Sequence, residues 1–315
     1  MSAIRAEVPA RVHLAGNPSD GYGGAVLSTT IGGAVAHVTV EPARVFSVHG
    51  ATESWGSLAD LARATSRHGH GTGDRLVKAA LVTLHRELGD VELPPGRFTW
   101  GSDIPRSVGL GGSSAIVLAT MRAALRHWDA DDAVTPLTLA QAALRAETEE
   151  LGIAAGIADR TVQAIGGVVL TDSRTTDPTA STVPVAVPVP ASLLWNDAAA
   201  APSGDYHREL RRRVDAGHPE TAAVLDSLAS TAIDGGRALT DGDVAAFSAA
   251  LDRSLELRRA LWPVPPAALD GVDALRAAGA AVNFAGSGGA LVVVGDHEVP
   301  AGFASAPIEI GAEPG

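Results

Sequence analysis

The most restrictive feature of the sequence is a glycine-rich turn that leads directly into a long helical pattern. Residues 104–115 read Ile-Pro-Arg-Ser-Val-Gly-Leu-Gly-Gly-Ser-Ser-Ala, between a strand pattern at Phe98–Gly101 and an unbroken helical pattern at Ile116–Trp128. Such a segment can bind an anion, because the amides of the turn and the positive end of the helix dipole both attract negative charge. Ser113 or Ser114 can cap the helix or offer a hydroxyl to a divalent cation. A helix cap after a flexible loop explains the same pattern, so the segment alone leaves both interpretations open.

The composition excludes several classes of protein. Lys78 is the single lysine of the 315 residues and is followed by alanines, whereas a P-loop needs a lysine followed by Ser or Thr. The absence of cysteine excludes disulfides, thiolate metal sites and cysteine nucleophiles. A net charge of −12 argues against nucleic-acid and anionic-membrane partners.

The location is predicted from what the sequence lacks. The N-terminus shows no signal-peptide pattern, and no window approaches about 18 uninterrupted apolar residues. We therefore expect a cytoplasmic globular protein, whose oligomeric state the sequence leaves open.

The order of strand and helix patterns predicts an α+β fold in two domains. Short strands dominate the first hundred residues, and helices with a few strands dominate the rest. A stretch rich in Thr, Asp, Ser and Pro at residues 172–190 is typical of a connection and an extended edge between halves. We therefore expect an N-terminal domain at 1–185 and a C-terminal domain at 186–315.

Two carboxylates, Glu147 and Asp159, form a second candidate site, and both occur in helical patterns. Phosphoryl transfer to an alcohol uses one carboxylate for Mg²⁺ and another for the hydroxyl. Taken alone, acidic residues on helices are more often solvated. Arg11 begins an otherwise apolar strand, where an arginine lies at a surface edge or needs an acidic partner. Gly286–Gly289 forms a tight turn between two strand patterns, which an ordinary hairpin explains equally well.

Taken together, these segments resemble the GHMP kinases, which include galacto-, homoserine, mevalonate and phosphomevalonate kinases. The motifs occur in the same order over nearly the whole chain. Within the family, the resemblance extends to the glucuronokinases through Gly16–Asp20, Ile104–Val117 and Glu149–Arg160. One departure is Gly295–Ser305, which contains Pro300 and is too short for the long helix usual before the last strand.

The resemblance implies a two-domain GHMP kinase fold, with an S5-like N-terminal domain and a ferredoxin-like C-terminal domain. It also implies that ATP, Mg²⁺ and a monosaccharide bind in a cleft. By resemblance, Asp159 is the catalytic carboxylate with Arg11 beside it, and Ser114 and Glu147 bind Mg²⁺. The implied ATP-binding residues are Gly109, Leu110, Gly111, Gly112, Ser113, Ser114 and Ala115. The implied sugar-binding residues are Asn17, Asp20, Arg106 and Arg160, whereas His13 is expected to be a packed strand residue.

The expected activity is transfer of the ATP γ-phosphoryl group to the anomeric hydroxyl of a sugar, with D-glucuronate as the first choice. A buried sugar carboxylate needs a charged donor, and with one lysine in the chain that donor is expected to be Arg106 or Arg160. A contact with ATP phosphates is an equal alternative for Arg106. The alternative functions are a kinase of another sugar or cyclitol, and a non-catalytic sensor of sugar and ATP. A sensor would be expected to lose the acidic pair, and here both carboxylates are present.

Overall fold

The computed structural model describes residues 2–48, 53–89, 91–196, 204–261, 266–286 and 288–312. Ser287, in the predicted glycine turn, lies outside the described residues. The strands are β1 Ile4–Ala15, β2 Ala25–Pro42, β3 Phe46–Val48, β4 Ser54–Trp55, β5 Gly96–Ser102, β6 Val168–Asp172, β7 Thr179–Thr182, β8 Val189–Trp195, β9 Ala281–Phe284, β10 Ala290–Val294 and β11 Ala304–Ile310. The helices are α1 Leu58–His68, α2 Arg75–Leu88, α3 Gly112–His127, α4 Pro136–Thr148, α5 Ala158–Ile165, α6 Gly204–Asp215, α7 Pro219–Asp241, α8 Val244–Leu261 and α9 Pro266–Ala277. The fold is therefore α+β, as predicted.

The contacts divide the chain into two compact units that alternate along the sequence. Unit 1 comprises Met1–Ala10, Gly33–Ile104 and Gly112–Ala155, and unit 2 comprises Arg11–Gly32, Pro105–Gly111 and Gly156–Gly315. Strands β1 and β2 each contribute residues to both units. The boundary expected at residue 185 stays a prediction. Among the described helices, none has the length and apolar character that crossing a membrane requires.

Unit 1 combines paired strands with helices that pack on one another. The later part of β2 pairs antiparallel with β5, and β3 pairs parallel with β5. Helices α2, α3 and α4 contact each other through buried alanine, valine and leucine side chains. Helix α3 begins at Gly112, so Ser113 and Ser114 lie inside its first turn. Neither serine is therefore the cap residue that the sequence suggested, because the helical backbone starts one residue earlier.

Unit 2 contains a four-stranded antiparallel sheet in the order β11-β8-β10-β9. Helices α8 and α9 pack on β9. The core beneath includes Leu255, Val272, Leu275, Val282, Phe284, Leu291 and Val293. The early part of β2 pairs with β6, which in turn pairs with β7.

The prediction of a connection and an extended edge at residues 172–190 is right for β7, which lies at the end of its sheet order, and wrong for β8, which lies inside a sheet. Two strands, β7 and β8, begin inside this stretch, and β8 pairs with both β10 and β11. The polar residues of β7 are mostly exposed, so they show no apolar alternation. Pro190 in β8 is tolerated opposite Glu309 of β11, although proline normally indicates a break. Residues 295–303 contain no helix, as expected from Pro300.

Candidate active site

A buried ion pair in unit 2 joins β1 to the first turn of α5. Arg11, whose side chain is 6% exposed, donates from Nε to Asp159 Oδ1 and from Nη2 to Asp159 Oδ2, both at 2.7 Å. Two parallel bonds of this kind fix the plane of the carboxylate. Arg11 Nη1 also donates to the carbonyls of Gly109 at 2.6 Å and Ala285 at 2.8 Å. One guanidinium therefore ties Asp159 to the glycine-rich turn and to the end of β9.

His13 makes a further contact with Asp159. Arg11 and His13 are two residues apart on β1, so their side chains lie on the same face of the strand. His13 Nε2 lies 2.8 Å from Asp159 Oδ1, and its Nδ1 lies 2.8 Å from Ser28 Oγ on β2. Burial and the positive charge of Arg11 lower the pKa of His13 to about 4. The ring is thus neutral at pH 7, so Nε2 donates to the carboxylate and Nδ1 accepts from the Ser28 hydroxyl.

The Asp159 carboxyl is held in its ionised form. Burial would raise its pKa, but the positive charge of Arg11 and the hydrogen bond from His13 outweigh burial and hold the pKa well below the usual range. The Asp159 side chain is 20% exposed, whereas that of His13 is 2% exposed. An ionised carboxylate with fixed orientation and partial access to solutes can orient a hydroxyl group.

Asp20 supplies the N-terminal cap of α5 from the loop after β1. Its Oδ2 accepts a hydrogen bond from the Ala158 amide at 2.8 Å, whereas Ile157, at the cap position, has no polar side chain. Burial raises the pKa of Asp20 to about 6, although the hydrogen bond from Ala158 opposes this increase. The negative charge of Asp159 adds to the increase. Gly156 permits this approach, because a Cβ there would collide with the Asp20 carboxylate.

Asn17 contacts Arg258, a buried arginine of α8. Arg258 Nη1 lies 3.3 Å from Asn17 Oδ1 and also donates to the Gly286 carbonyl. Its guanidinium lies over the Phe284 ring, 4.6 Å from the centroid. Burial and the charge of Arg11 lower the pKa of Arg258 to about 9. Arg258 therefore links the predicted sugar loop to the turn after β9.

The two arginines predicted to bind a sugar carboxylate lie in different environments. Arg160 is buried and donates to the Gly156 carbonyl at 2.7 Å. Its Nη1 also lies 4.0 Å from Asp159 Oδ2, so it adds positive charge beside that carboxylate. Arg106 is exposed in the loop before Gly109, where it is accessible to a solute.

The glycine-rich turn has the backbone conformation that its sequence predicts. Gly109 and Gly111 have φ values of +86° and +75°, which glycine adopts more readily than other residues. A Cβ on Gly111 would lie 2.9 Å from Arg11 Cγ, and one on Gly286 would collide with the Gly109 carbonyl. Gln163 Nε2 donates to the Gly111 carbonyl at 3.0 Å. The turn is thus tightly packed by the same residues that hold Asp159.

Unit 1 brings Ser113 and Glu147 together. Ser113 Oγ donates to Glu147 Oε1 at 2.7 Å, and Glu147 is fully buried near the end of α4. A hydroxyl oxygen beside a carboxylate oxygen fits Mg²⁺, which prefers oxygen ligands and uses one or two carboxylates. The residues present therefore fit this ion, and the predicted role of Ser114 stays a prediction.

Two residues that contact this site, His13 and Arg258, were not predicted as site residues. The spacing of His13 from Arg11 is a usable signal, because residues two apart on a strand share a face. Arg258 has no comparable signal, since it is one of several arginines on α8.

The chain matches known kinases in sequence and in structure. The family model "GHMP kinases N terminal domain" matches residues 75–167. Glucuronokinase 1 of Arabidopsis thaliana is 29% identical over 309 residues, covering 93% of this chain and 85% of that protein. Probable glucuronokinase 2 of the same plant is 30% identical over 304 residues, covering 90% and 82%.

The structural matches extend over whole chains. Lactococcus lactis galactokinase, solved in complex with galactose, has a TM-score of 0.80 at 16% identity, covering 99% of this chain and 94% of that one. Methanococcus jannaschii mevalonate kinase has a TM-score of 0.73 at 16% identity, covering 98% of each. The fold is therefore the GHMP kinase fold.

The fold and the sequence matches together show that the chain belongs to the GHMP kinase family, whose members use ATP as the phosphoryl donor. The chain matches the glucuronokinases along nine-tenths of its length, which shows that it is a sugar kinase.

Proposed function

We propose that this kinase transfers the γ-phosphoryl group of ATP to the anomeric hydroxyl of an acidic monosaccharide, with D-glucuronate as the preferred substrate. The observation that carries the proposal is the Asp159 carboxylate, which Arg11 and His13 hold ionised and partly exposed. This carboxylate lies at the N-terminus of α5, and Arg11 bonds both to it and to the glycine-rich turn.

The low pKa of Asp159 suits a kinase. Phosphoryl transfer passes through a loose transition state in which the acceptor hydroxyl has lost little of its proton. A weakly basic carboxylate is sufficient there, because its main work is to orient the hydroxyl and to receive the proton late. Arg11 and His13 hold the carboxylate in a fixed position, and part of the Asp159 side chain stays exposed.

The chemistry of the residues present supports the proposed ATP and Mg²⁺ assignments. The turn at Gly109 and Gly111 has backbone conformations that allow amides to approach phosphate oxygens. Glu147 and Ser113 would hold Mg²⁺. When bound, the ion would neutralise charge on the phosphate oxygens.

The relatives and the arginines of unit 2 support the proposed acidic substrate. Both Arabidopsis relatives are named as glucuronokinases. Arg160 and the exposed Arg106 supply guanidinium groups, which bind carboxylates with two parallel hydrogen bonds. We assign the sugar carboxylate to Arg106, while Arg160 stays beside Asp159.

The test is a substrate panel with equal enzyme and ATP, measured by ADP release. We expect D-glucuronate to exceed galacturonate, galactose and a cyclitol, and to exceed glucose by roughly three orders of magnitude or more in kcat/KM, because glucose leaves the guanidinium unpaired. NMR coupling between phosphorus and the anomeric proton identifies the phosphorylated position. If a neutral sugar or a cyclitol is the best substrate, the kinase activity stands but the proposed preference for a uronate is wrong. Binding of sugar and ATP without ADP release would identify a sensor.

A further inference from the structure

The two oxygens of the Asp159 carboxylate have unequal surroundings. Oδ1 accepts hydrogen bonds from Arg11 Nε at 2.7 Å and from His13 Nε2 at 2.8 Å. Oδ2 accepts from Arg11 Nη2 at 2.7 Å, with Arg160 Nη1 farther away at 4.0 Å. A carboxylate oxygen has two lone pairs in its plane. Oδ1 is therefore saturated, and Oδ2 keeps capacity for another donor.

The hydrogen bond from His13 has a fixed direction. Ser28 is fully buried on β2, and its hydroxyl contacts His13 Nδ1 at 2.8 Å. Because the carboxylate of Asp159 can only accept, the neutral ring must carry its proton on Nε2, and the Ser28 hydroxyl must donate to Nδ1. The chain of bonds runs from Ser28 through His13 to Asp159 and ends on Oδ1.

We propose that His13 is a positioning residue for the phosphoryl transfer. Its hydrogen bond occupies Asp159 Oδ1, so the acceptor hydroxyl binds to Oδ2. The proposal rests on the proposed function of Asp159 as the carboxylate that orients this hydroxyl. His13 does not touch the substrate, since only 2% of its side chain is exposed. Without its hydrogen bond, both oxygens would accept from the acceptor hydroxyl, and fewer bound sugars would be aligned for attack.

His13 acts here as a neutral donor in a strongly charged environment. Among the residues that the structure describes, the charged and titratable groups that face His13 or Asp159 include Arg11 on β1, Asp20 in the loop after β1, Arg160 on α5, His207 on α6 and Arg258 on α8. The arginine charges disfavour an imidazolium at this position, in agreement with a His13 pKa of about 4. A second role as a cationic partner of Asp159 is thus excluded at neutral pH.

The test compares two replacements of His13. His13→Leu removes the donor and keeps an apolar side chain in the buried site, whereas His13→Gln can place an amide N–H near the former Nε2. A hydrogen bond to a charged group corresponds to roughly 10- to 100-fold in rate. We expect His13→Leu to lower kcat by about this factor while KM for ATP stays within about twofold, and His13→Gln to recover most of the loss.

The matched control is His127→Leu. His127 is also a histidine with 2% exposure, but it lies on α3 in unit 1 and contacts the Pro95 carbonyl. Loss of this buried histidine should leave kcat unchanged. An equal loss of kcat in the control and in His13→Leu would show a general packing effect and would overturn the proposal.

The pH dependence of kcat separates positioning from packing. The His13 hydrogen bond helps to lower the Asp159 pKa, so its removal must raise that pKa. As the pH is lowered, the activity of His13→Leu should therefore begin to fall at a higher pH than the activity of the unchanged enzyme. His13→Gln should show a smaller shift of this pH. Identical pH profiles in all three enzymes would overturn the proposal.

Two further measurements complete the test. If His13→Leu does not fold, a ¹⁵N–¹H correlation spectrum of the imidazoles decides the question: a neutral His13 with its proton on Nε2 at pH 7 supports the proposal, and an imidazolium or an Nδ1 proton overturns it. Asp159→Asn tests the underlying function separately. A normal kcat in Asp159→Asn refutes the role of Asp159, whereas its loss together with normal kcat in His13→Leu refutes only the role of His13.

Discussion

The substitution Asp159→Asn tests the center of the proposed site, because it removes the charge and keeps the shape. In the native site Arg11 makes two bonds to the carboxylate and His13 makes one. An asparagine oxygen at the Oδ1 position can still accept from Arg11 Nε and from His13. The amide nitrogen at the Oδ2 position would face Arg11 Nη2, so two donors would oppose each other.

The expected cost in stability follows from these contacts. Removing one partner of a buried ion pair typically costs about 3–5 kcal/mol. Arg11 would also face Arg258, whose pKa the positive charge of Arg11 already lowers. At about 2–4 °C per kcal/mol for domains of this size, Tm should fall by roughly 10 °C. The variant should stay folded at 25 °C.

The activity should fall further than stability alone predicts. Loss of the group that orients the hydroxyl and receives its proton should lower kcat by about 10² or more. The affinity for ATP should change little, because Asp159 is not part of the glycine-rich turn. Calorimetric titration with ATP, ADP release and thermal unfolding measure the three quantities separately. Near-normal turnover in a folded Asp159→Asn variant would refute the reasoning and place the base elsewhere.

Four other predictions test further candidate residues in the two units. Glu147→Gln should raise the Mg²⁺ concentration for half-maximal activity by roughly tenfold or more, with little change in the sugar KM; an unchanged Mg²⁺ titration would count against this ligand. Gly286→Ala should weaken ATP binding, measured as Kd, by about tenfold, because its Cβ would collide with the Gly109 carbonyl, whereas Gly32→Ala has open space and should not. Between pH 3.8 and about 6, Asp20 is protonated in the folded state but not in the unfolded state, so the stabilisation from this proton is lost as the pH rises through the window. The Tm of Asp20→Asn relative to that of the parent should therefore increase from pH 4 to pH 7. A difference in Tm that stays constant with pH would contradict the raised pKa. Arg106→Gln should raise the glucuronate KM by about tenfold and leave the ATP KM unchanged, while the reverse pattern would assign Arg106 to ATP phosphates.

The sequence predicted the parts of the site that depend on local chemistry. The turn at Gly109–Gly112 is recognisable because few residues can replace a glycine at positive φ, whereas the pair of Arg11 and Asp159 was expected from the resemblance to the GHMP kinases. The helical pattern at Ile116–Trp128 also falls on α3 and ends within one residue of it, because apolar residues recur there at helical spacing.

The remaining features depend on contacts between distant parts of the chain. Asp20 caps α5 from a loop 138 positions away, and Arg258 reaches Asn17 across 241 positions. Neither contact leaves a pattern in its local sequence. Strand β8 was missed because a proline-containing stretch was interpreted by composition, whereas its place in the sheet depends on pairing with β10 and β11.

The charges in unit 2 bear on the proposed acidic substrate. The described residues place the buried arginines Arg11 and Arg160 beside Asp159, and Asp20 adds a second carboxylate near them. His13 and His207, whose pKa values burial lowers to about 4, add no positive charge at neutral pH. Interactions between charges are stronger in a buried site than in water. A carboxylate on the sugar would therefore be attracted by these guanidinium groups, whereas a neutral sugar would not be.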